Sequence, residues 1–412
     1  MATKIEEAPA ADRLLAMSEA VARDPSELYR ELLTECPVTQ ASDGNWIVSR
    51  YADMREILGN DGKTWFRESV IPNVISGKDE GAMRETLFVR TMAPTLLNLD
   101  PPRHTRLKRL LANAFMPSRI ETRRPLVARV VAELLDRIEP LGRMEMVHDF
   151  AMPLPIRIIS EMLGFGIEEE GFLESYTHVA VAMNGPGGKS PDLRAEADRL
   201  TGRFREMIGA VVEDRRAHPR DDLISEFVAA EEQGDTLSYE ELIGNSIKFH
   251  IAGHETTGNL ICNGVATLMQ HRDQWQAICR DPILVNDAVE EILRYCGSAR
   301  IVQPRKARED QIVGGVTIPA GEQVICFPAI ANRDPSVFEE PDRFDIRRKP
   351  NRHMAFGFGP HGCIGLSLAR LETRVALHAL ATRIPNMRLD TDRVEWRRTF
   401  ATRGVVALPL RW

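Results

Sequence analysis

The sequence predicts a mainly α-helical fold with small β-sheets, on three observations. The segment ELIGNSIKFHIAGHETTGNLICNGVATLMQ, from Glu241 to Gln270, is long, mostly apolar and free of proline, so it reads as a central helix buried on most faces. AVEEILRYC (Ala288 to Cys296) and LSLARLETRVALHALATRI (Leu366 to Ile384) carry apolar residues at helical spacing, with Arg383 in the last turn of the second. Clear strand signals are confined to two places.

The first strand signal is GNWIVSRY, Gly44 to Tyr51. The second is REDQIVGGVTIPAGEQVICFPAIAN, Arg308 to Asn332, whose β-branched runs are punctuated by Gly-Gly and Pro-Ala-Gly and so predict hairpins. No linker, repeat or low-complexity tract interrupts the chain. A single domain over residues 1–412 is expected, with the β-rich part at roughly 37–60 not separable from the helical remainder. MNGPGGKS, Met183 to Ser190, reads as a flexible loop. Its Gly188-Lys189-Ser190 ending imitates a phosphate-binding loop, but that pattern requires glycine where Met183 stands.

With 43% hydrophobic and 27% charged residues, the composition is that of a soluble globular protein. The net charge of -7 provides no global attraction to nucleic acid or an anionic membrane. The amino-terminal segment holds no apolar run of signal-peptide or membrane-spanning length, so a cytoplasmic location is expected.

The six cysteines are scattered, with no C-x-x-C pair, which excludes a disulfide framework and a zinc ribbon. Five read as small core residues. Cys363 differs because FGFGPHGCIG surrounds it with Gly357, Gly359, Gly362 and Gly365, directly before a helix. Glycine permits positive φ and close backbone approach, and the helix start favours a thiolate. Nucleophile (with His361 nearby as base), metal ligand and inert turn cysteine all remain open on this loop alone.

Three further segments bear on the choice. Ala252-Gly253-His254-Glu255-Thr256-Thr257 sets an acid beside an alcohol in an apolar helix, costly unless used, with Gly253 leaving room for a ligand. Glu291 and Arg294 share a helix face at i,i+3, a spacing also common in surface pairs. ANRDPSVFEEPDRF, Ala331 to Phe344, reads either as a solvated loop or as a clamp holding that pair.

DPPRHTRLKRLL (Asp100 to Leu111), AGHETT, EILR, QPRKA (Gln303 to Ala307), ANRDP, PDRF and FGFGPHGCIG, in this order, resemble the cytochrome P450 haem-thiolate monooxygenases in their soluble bacterial form. FGFGPHGCIG matches the family pattern F-G-x-G-x-H-x-C-x-G in full. The resemblance implies the cytochrome P450 fold, with haem b (iron protoporphyrin IX) between the central helix and the helix after the cysteine loop. It implies Cys363 as the thiolate ligand of iron, a ligand that pushes electron density toward the metal. Gly357 and Gly365 would let the backbone pass close under the haem, and Phe356 would shield the sulfur. His361, His104 and Arg305 would bind the propionates. Lys108 stands where the family usually has arginine; it keeps the charge but loses the planar fork. With Arg103, Arg106 and Arg109 it would instead offer a basic surface to an acidic electron donor.

On the oxygen side the resemblance implies Ala252 and Gly253 over the haem, Thr256 hydrogen-bonded to dioxygen or its water, and Glu255 relaying protons. Glu291, Arg294 and Arg333 or Arg343 would form a structural clamp. Substrate contacts would include Phe88, Val89, Phe249, Ala252, Ala299, Ile301, Phe400 and Thr402, which are mostly apolar and so predict a small, mostly apolar substrate. Arg67, Arg84, Arg90 and Arg300 could meet a substrate carboxylate, but each is expected at the surface. The implied reaction inserts one oxygen atom of O2, by hydroxylation, epoxidation or O-dealkylation, in a monomer served by a separate ferredoxin and its reductase. The alternatives are a haem-thiolate peroxygenase, whose members generally lack the acid–alcohol pair, and a haem-based sensor, which would need an output domain.

Overall fold

The structure is a computed structural model, and it describes residues 8–67, 86–183, 190–232 and 236–412. The flexible-loop assignment at Met183 to Ser190 falls mostly outside these residues; Ser190 itself caps the helix Pro191–Ala217 through the amide of Leu193. Arg84 also lies outside them.

The chain forms two compact units. The first comprises Met1–Phe66, Val127–Pro153 and Thr256–Trp412, and the second Arg67–Leu126 and Leu154–Glu255.

In the first unit strands from both predicted segments join two unpredicted ones, Arg305–Ala307 and Trp65–Phe66, in one five-stranded sheet. Val38–Gln40 pairs antiparallel with Trp46–Val48, which runs parallel to Gln323–Cys326; Arg305–Ala307 and Trp65–Phe66 complete it, both antiparallel. Val48, Val324, Cys326 and Ala307 are buried on it together with Met54, Ile57 and Leu58 of the helix Tyr51–Gly59. The Gly-Gly signal is the turn of a separate hairpin, Gln311–Val313 with Val316–Ile318, and both glycines have positive φ. Helices Val285–Cys296 and Leu366–Arg383 cover the segments predicted to be helical.

The central helix spans Tyr239–Gln270, two residues longer at its start than the apolar run suggests. In the second unit its amino-terminal half packs on the helix Glu170–Met183. His250 Nε2 lies 3.1 Å from the Leu173 carbonyl, so this nitrogen carries the proton, and burial pushes the ring pKa down to about 4. Around it stand Tyr176 and Phe204, in edge-on ring contacts. In the first unit, a Cβ on Gly258 would lie 2.6 Å from the Met152 sulfur and 2.9 Å from the Ala151 carbonyl, so only glycine admits that approach. Among the described residues no helix is long and apolar enough to cross a membrane.

Candidate functional site

The cysteine loop is built by hydrogen bonds across its own width. Cys363 N–H donates to the Phe356 carbonyl at 2.8 Å, Gly362 N–H to Gly359 at 3.0 Å, and Gly357 N–H to Met354 at 2.8 Å. The loop delivers Cys363 just ahead of the helix beginning at Leu366. Cys363 is exposed, whereas the other five cysteines are buried or half-buried. That thiol sits in the positive end of the helix dipole, where a thiolate is favoured.

The glycines divide by role. Gly357 and Gly359 have φ of +72° and +73°, the left-handed region that disfavours other residues. At Gly359 a Cβ would also meet the Leu58 carbonyl at 2.1 Å, so the close approach there is to protein backbone. Gly365 has φ of -83°; a Cβ there would lie 4.0 Å from the Cys363 sulfur. Its freedom is therefore not a matter of backbone sign.

Two adjacent carboxylates, Glu290 and Glu291, bond to the segments that flank the loop. Glu290 receives Arg370 at 2.7 Å, Arg374 at 3.0 Å and His353 at 3.1 Å, and the Arg370 guanidinium lies 4.7 Å from the Phe356 ring centre. Burial alone would raise the Glu290 pKa; the bonds from His353 and Arg370 outweigh it and lower the value to about 2. Because the folded value is depressed, this group contributes stability above the unfolded carboxylate pKa, and the contribution fades as pH falls toward 2. Wild type is therefore expected to lose on the order of 1 kcal/mol more than Glu290→Gln between about pH 6 and about pH 3, discounted for partial exposure. Urea unfolding of both proteins at the two pH values measures this, and parallel losses would refute it.

Glu291 and Arg294 pair with each other, and the further side chains that reach Glu291 are not those expected. Glu291 and Arg294 are fully buried and joined by two bonds of 2.8 Å. Arg294 also donates to the carbonyls of Asn332, Pro341 and Arg343 at 3.0, 2.7 and 3.0 Å. Neither predicted partner reaches Glu291. Arg333 stacks on Tyr295 at 3.8 Å and pairs with Asp342, and the exposed Arg343 side chain pairs with Glu340. The side chains that do reach it are Arg348 at 3.3 Å and Asn351 at 3.1 Å.

Arg305 is buried, and its Nε and Nη2 close on Asp61 at 3.2 and 2.7 Å, while Nη1 donates to the Gln303 carbonyl. These bonds use three of its five N–H groups. Asp61, in the turn NDGK, carries no motif that sequence reasoning would select. His104 is buried on the helix Arg103–Ala112, and Lys108 follows one turn later, half-buried. Arg103 and Arg109 are exposed, but Arg106 pairs with Glu241 at 3.1 Å and is removed from the expected basic surface.

Along the central helix, Ala252 and Thr256 are exposed although their neighbours Ile251, His254 and Thr257 are buried. A spacing of four puts the two on one face. Gly253 is half-buried, and a Cβ there would stand 3.6 Å from the Ile159 side chain, an ordinary contact. Glu255 is half-buried.

Among the expected substrate contacts, Phe88, Val89 and Phe249 are buried, and Phe249 packs against Phe115 and Phe227. These three belong to the second unit's core. Ala299 and Thr402 are bridged strand partners, half-buried like Ile301 and Phe400. Arg67 and Arg300 are buried, contrary to their expected exposure, and Arg90 is exposed.

The model of the family described as Cytochrome P450 matches residues 190–393. Cytochrome P450 107B1 of Saccharopolyspora erythraea is 36% identical over 97% of both chains. This chain belongs to the cytochrome P450 family. It is also similar to the cytochrome P450 monooxygenase PikC of Streptomyces venezuelae, 37% identical over 96% of this chain and 93% of that one. The crystal structure of P450BioI in complex with a hexadec-9Z-enoic acid-ligated acyl carrier protein superposes with a TM-score of 0.86, at 33% identity over 96% of this chain and 100% of that one. The chain is accordingly an oxidoreductase of the bacterial cytochrome P450 monooxygenases, with haem as cofactor. The donor set fits that group: an exposed thiol before a helix, on a loop whose tight turns rest on Gly357 and Gly359.

Proposed function

We propose that this cytochrome P450 oxidises a small, mostly apolar organic substrate with one atom of O2, on a haem held by Cys363. The exposure of Cys363 on its glycine-braced loop carries this reading. Bound haem supplies the capacity to reduce and cleave dioxygen, and the thiolate favours that cleavage.

The chain's own residues have separable tasks. Cys363 holds the metal, with the Phe356 ring, itself backed by Arg370, screening the sulfur. His361, His104 and Lys108 contribute charge or hydrogen bonds to the propionates. Arg305 joins them with the N–H groups that Asp61 leaves over, and its charge is moderated by that carboxylate. Thr256 presents a hydroxyl from the exposed face it shares with Ala252, and Glu255 on the same helix turn takes up protons and passes them on. Ala252 keeps that face small. Ala299, Ile301, Phe400 and Thr402, all half-buried in the first unit, are the substrate-contact candidates there; Phe88, Val89 and Phe249, buried in the second unit's core, are the remaining candidates.

A ferredoxin-type donor delivers the electrons to a monomeric, cytoplasmic enzyme. Arg103 and Arg109, exposed on the helix that carries Lys108, form the basic side that attracts it. The acid–alcohol pair favours O2 over peroxide as oxygen source.

Thr256→Ala tests the proton-delivery role. Product formed per electron consumed is expected to fall by about a hundredfold or more, in the range for a lost proton-transfer group. Substrate affinity, read by the spin-state shift on binding, should remain unchanged. Unaltered coupling would remove Thr256 from the mechanism.

A further inference from the structure

Within the first unit lies a cavity of about 570 Å³, whose lining includes Ala299 but none of the other residues proposed above for the substrate. Its walls come from the turn before the helix Ser26–Thr34, the end of the helix Val285–Cys296, the strand-like segment at Arg300 and the loop at Arg393. Arginine dominates it: Arg23, Arg294, Arg300, Arg333, Arg393 and Arg403 all contribute, against Asp24, Asp342 and Asp392.

Most of these charges are committed. Arg294 is bound to Glu291, Arg333 to Asp342, and Arg393 to Glu19. Asp342 is shared with Arg30, and Asp24 caps the amide of Ser26. Arg403 spends its guanidinium on the carbonyls of Ala22 and Arg23 and on the Trp396 ring. Burial, and next the charge of Arg300, lower its pKa to about 10, so the two cations sense each other.

Arg300 is the exception. Its side chain is completely buried, yet among the described residues Nε and Nη2 have no hydrogen-bond partner, and Nη1 meets only the Met17 sulfur, a weak acceptor. Its backbone is fixed on both sides, by Ala401 and by Ala329 at 3.0 and 3.3 Å, so the side chain is carried by a rigid segment. A buried cation without a counter-charge is costly, and native structures keep buried polar groups paired.

We propose that this cavity binds a phosphate group, with Arg300 as its principal donor. The guanidinium fork matches phosphate oxygens through paired charge-assisted bonds. A dianion suits a site where more than one guanidinium converges, and the volume exceeds that of phosphate alone, leaving room for the group it is attached to.

The test is titration calorimetry of the purified holoprotein with inorganic phosphate, against sodium chloride of equal ionic strength, alongside thermal melting in each. Saturable one-site binding and a higher melting midpoint in phosphate are expected. Arg300→Gln should weaken the affinity by about tenfold to a hundredfold, the loss expected for two charge-assisted bonds, while leaving the haem spectrum unchanged. Arg300→Met, which keeps the volume without the donors, is the second variant should the first not fold. Adenosine monophosphate and glucose 6-phosphate are titrated in parallel. Tighter binding of either identifies an organic phosphate as the occupant, and tighter binding of inorganic phosphate identifies the free ion; both support the site. No saturable heat and no melting shift in wild type overturn it, as does an affinity unchanged in the Arg300 variants.

Discussion

Cys363→Ser is expected to reduce substrate oxidation to background while the protein still folds. The loop geometry does not depend on the sulfur: Cys363 contributes its backbone N–H to Phe356, and the turns rest on Gly357 and Gly359. Serine preserves all of this and removes the soft thiolate that pushes electron density toward iron. Circular dichroism should match wild type, and product formation with an electron-donor system should vanish. Retained turnover would show that the sulfur does not serve as the ligand.

Glu291→Gln is expected to be among the most destabilising single changes in the chain, at about 3–5 kcal/mol, because it leaves Arg294 as a buried, uncompensated charge. Glu291 ties together five groups: Arg294, Arg348, Asn351, the Asp345 amide and, through Arg294, the carbonyls that position the loop before the cysteine. Arg343→Ala supplies the contrast. Its side chain is exposed and pairs only with Glu340, so its removal should change stability by no more than about 0.5 kcal/mol. Arg348→Ala should fall between, at about 1–3 kcal/mol. Chemical denaturation of the three variants ranks them, and an Arg343 variant as damaged as the Glu291 variant would contradict the geometry.

The elements that the sequence made legible are those whose signal is local. The central helix, the helix after the cysteine and the Gly-Gly hairpin each advertise themselves by periodicity or turn chemistry, and each stands where expected. The cysteine loop was legible because glycine has few reasons to cluster there. What stayed hidden is pairing across long sequence distances. Asp61 meets Arg305 from 244 residues away, and Arg348 reaches Glu291 across 57. Neither Asp61 nor Arg348 carries a local mark, whereas Arg333 and Arg343 sit in recognisable motifs and so stand out as partners. The same limit applies to burial. Arg300 looked like a surface cation because arginine usually is one.

The most direct test of the account is the difference spectrum of the dithionite-reduced protein with carbon monoxide. The strongly red-shifted Soret band of thiolate-ligated haem is the predicted result, and it should disappear in Cys363→Ser. A band at the position of histidine- or thiol-ligated haem would contradict the assignment of Cys363 as the thiolate that holds the iron.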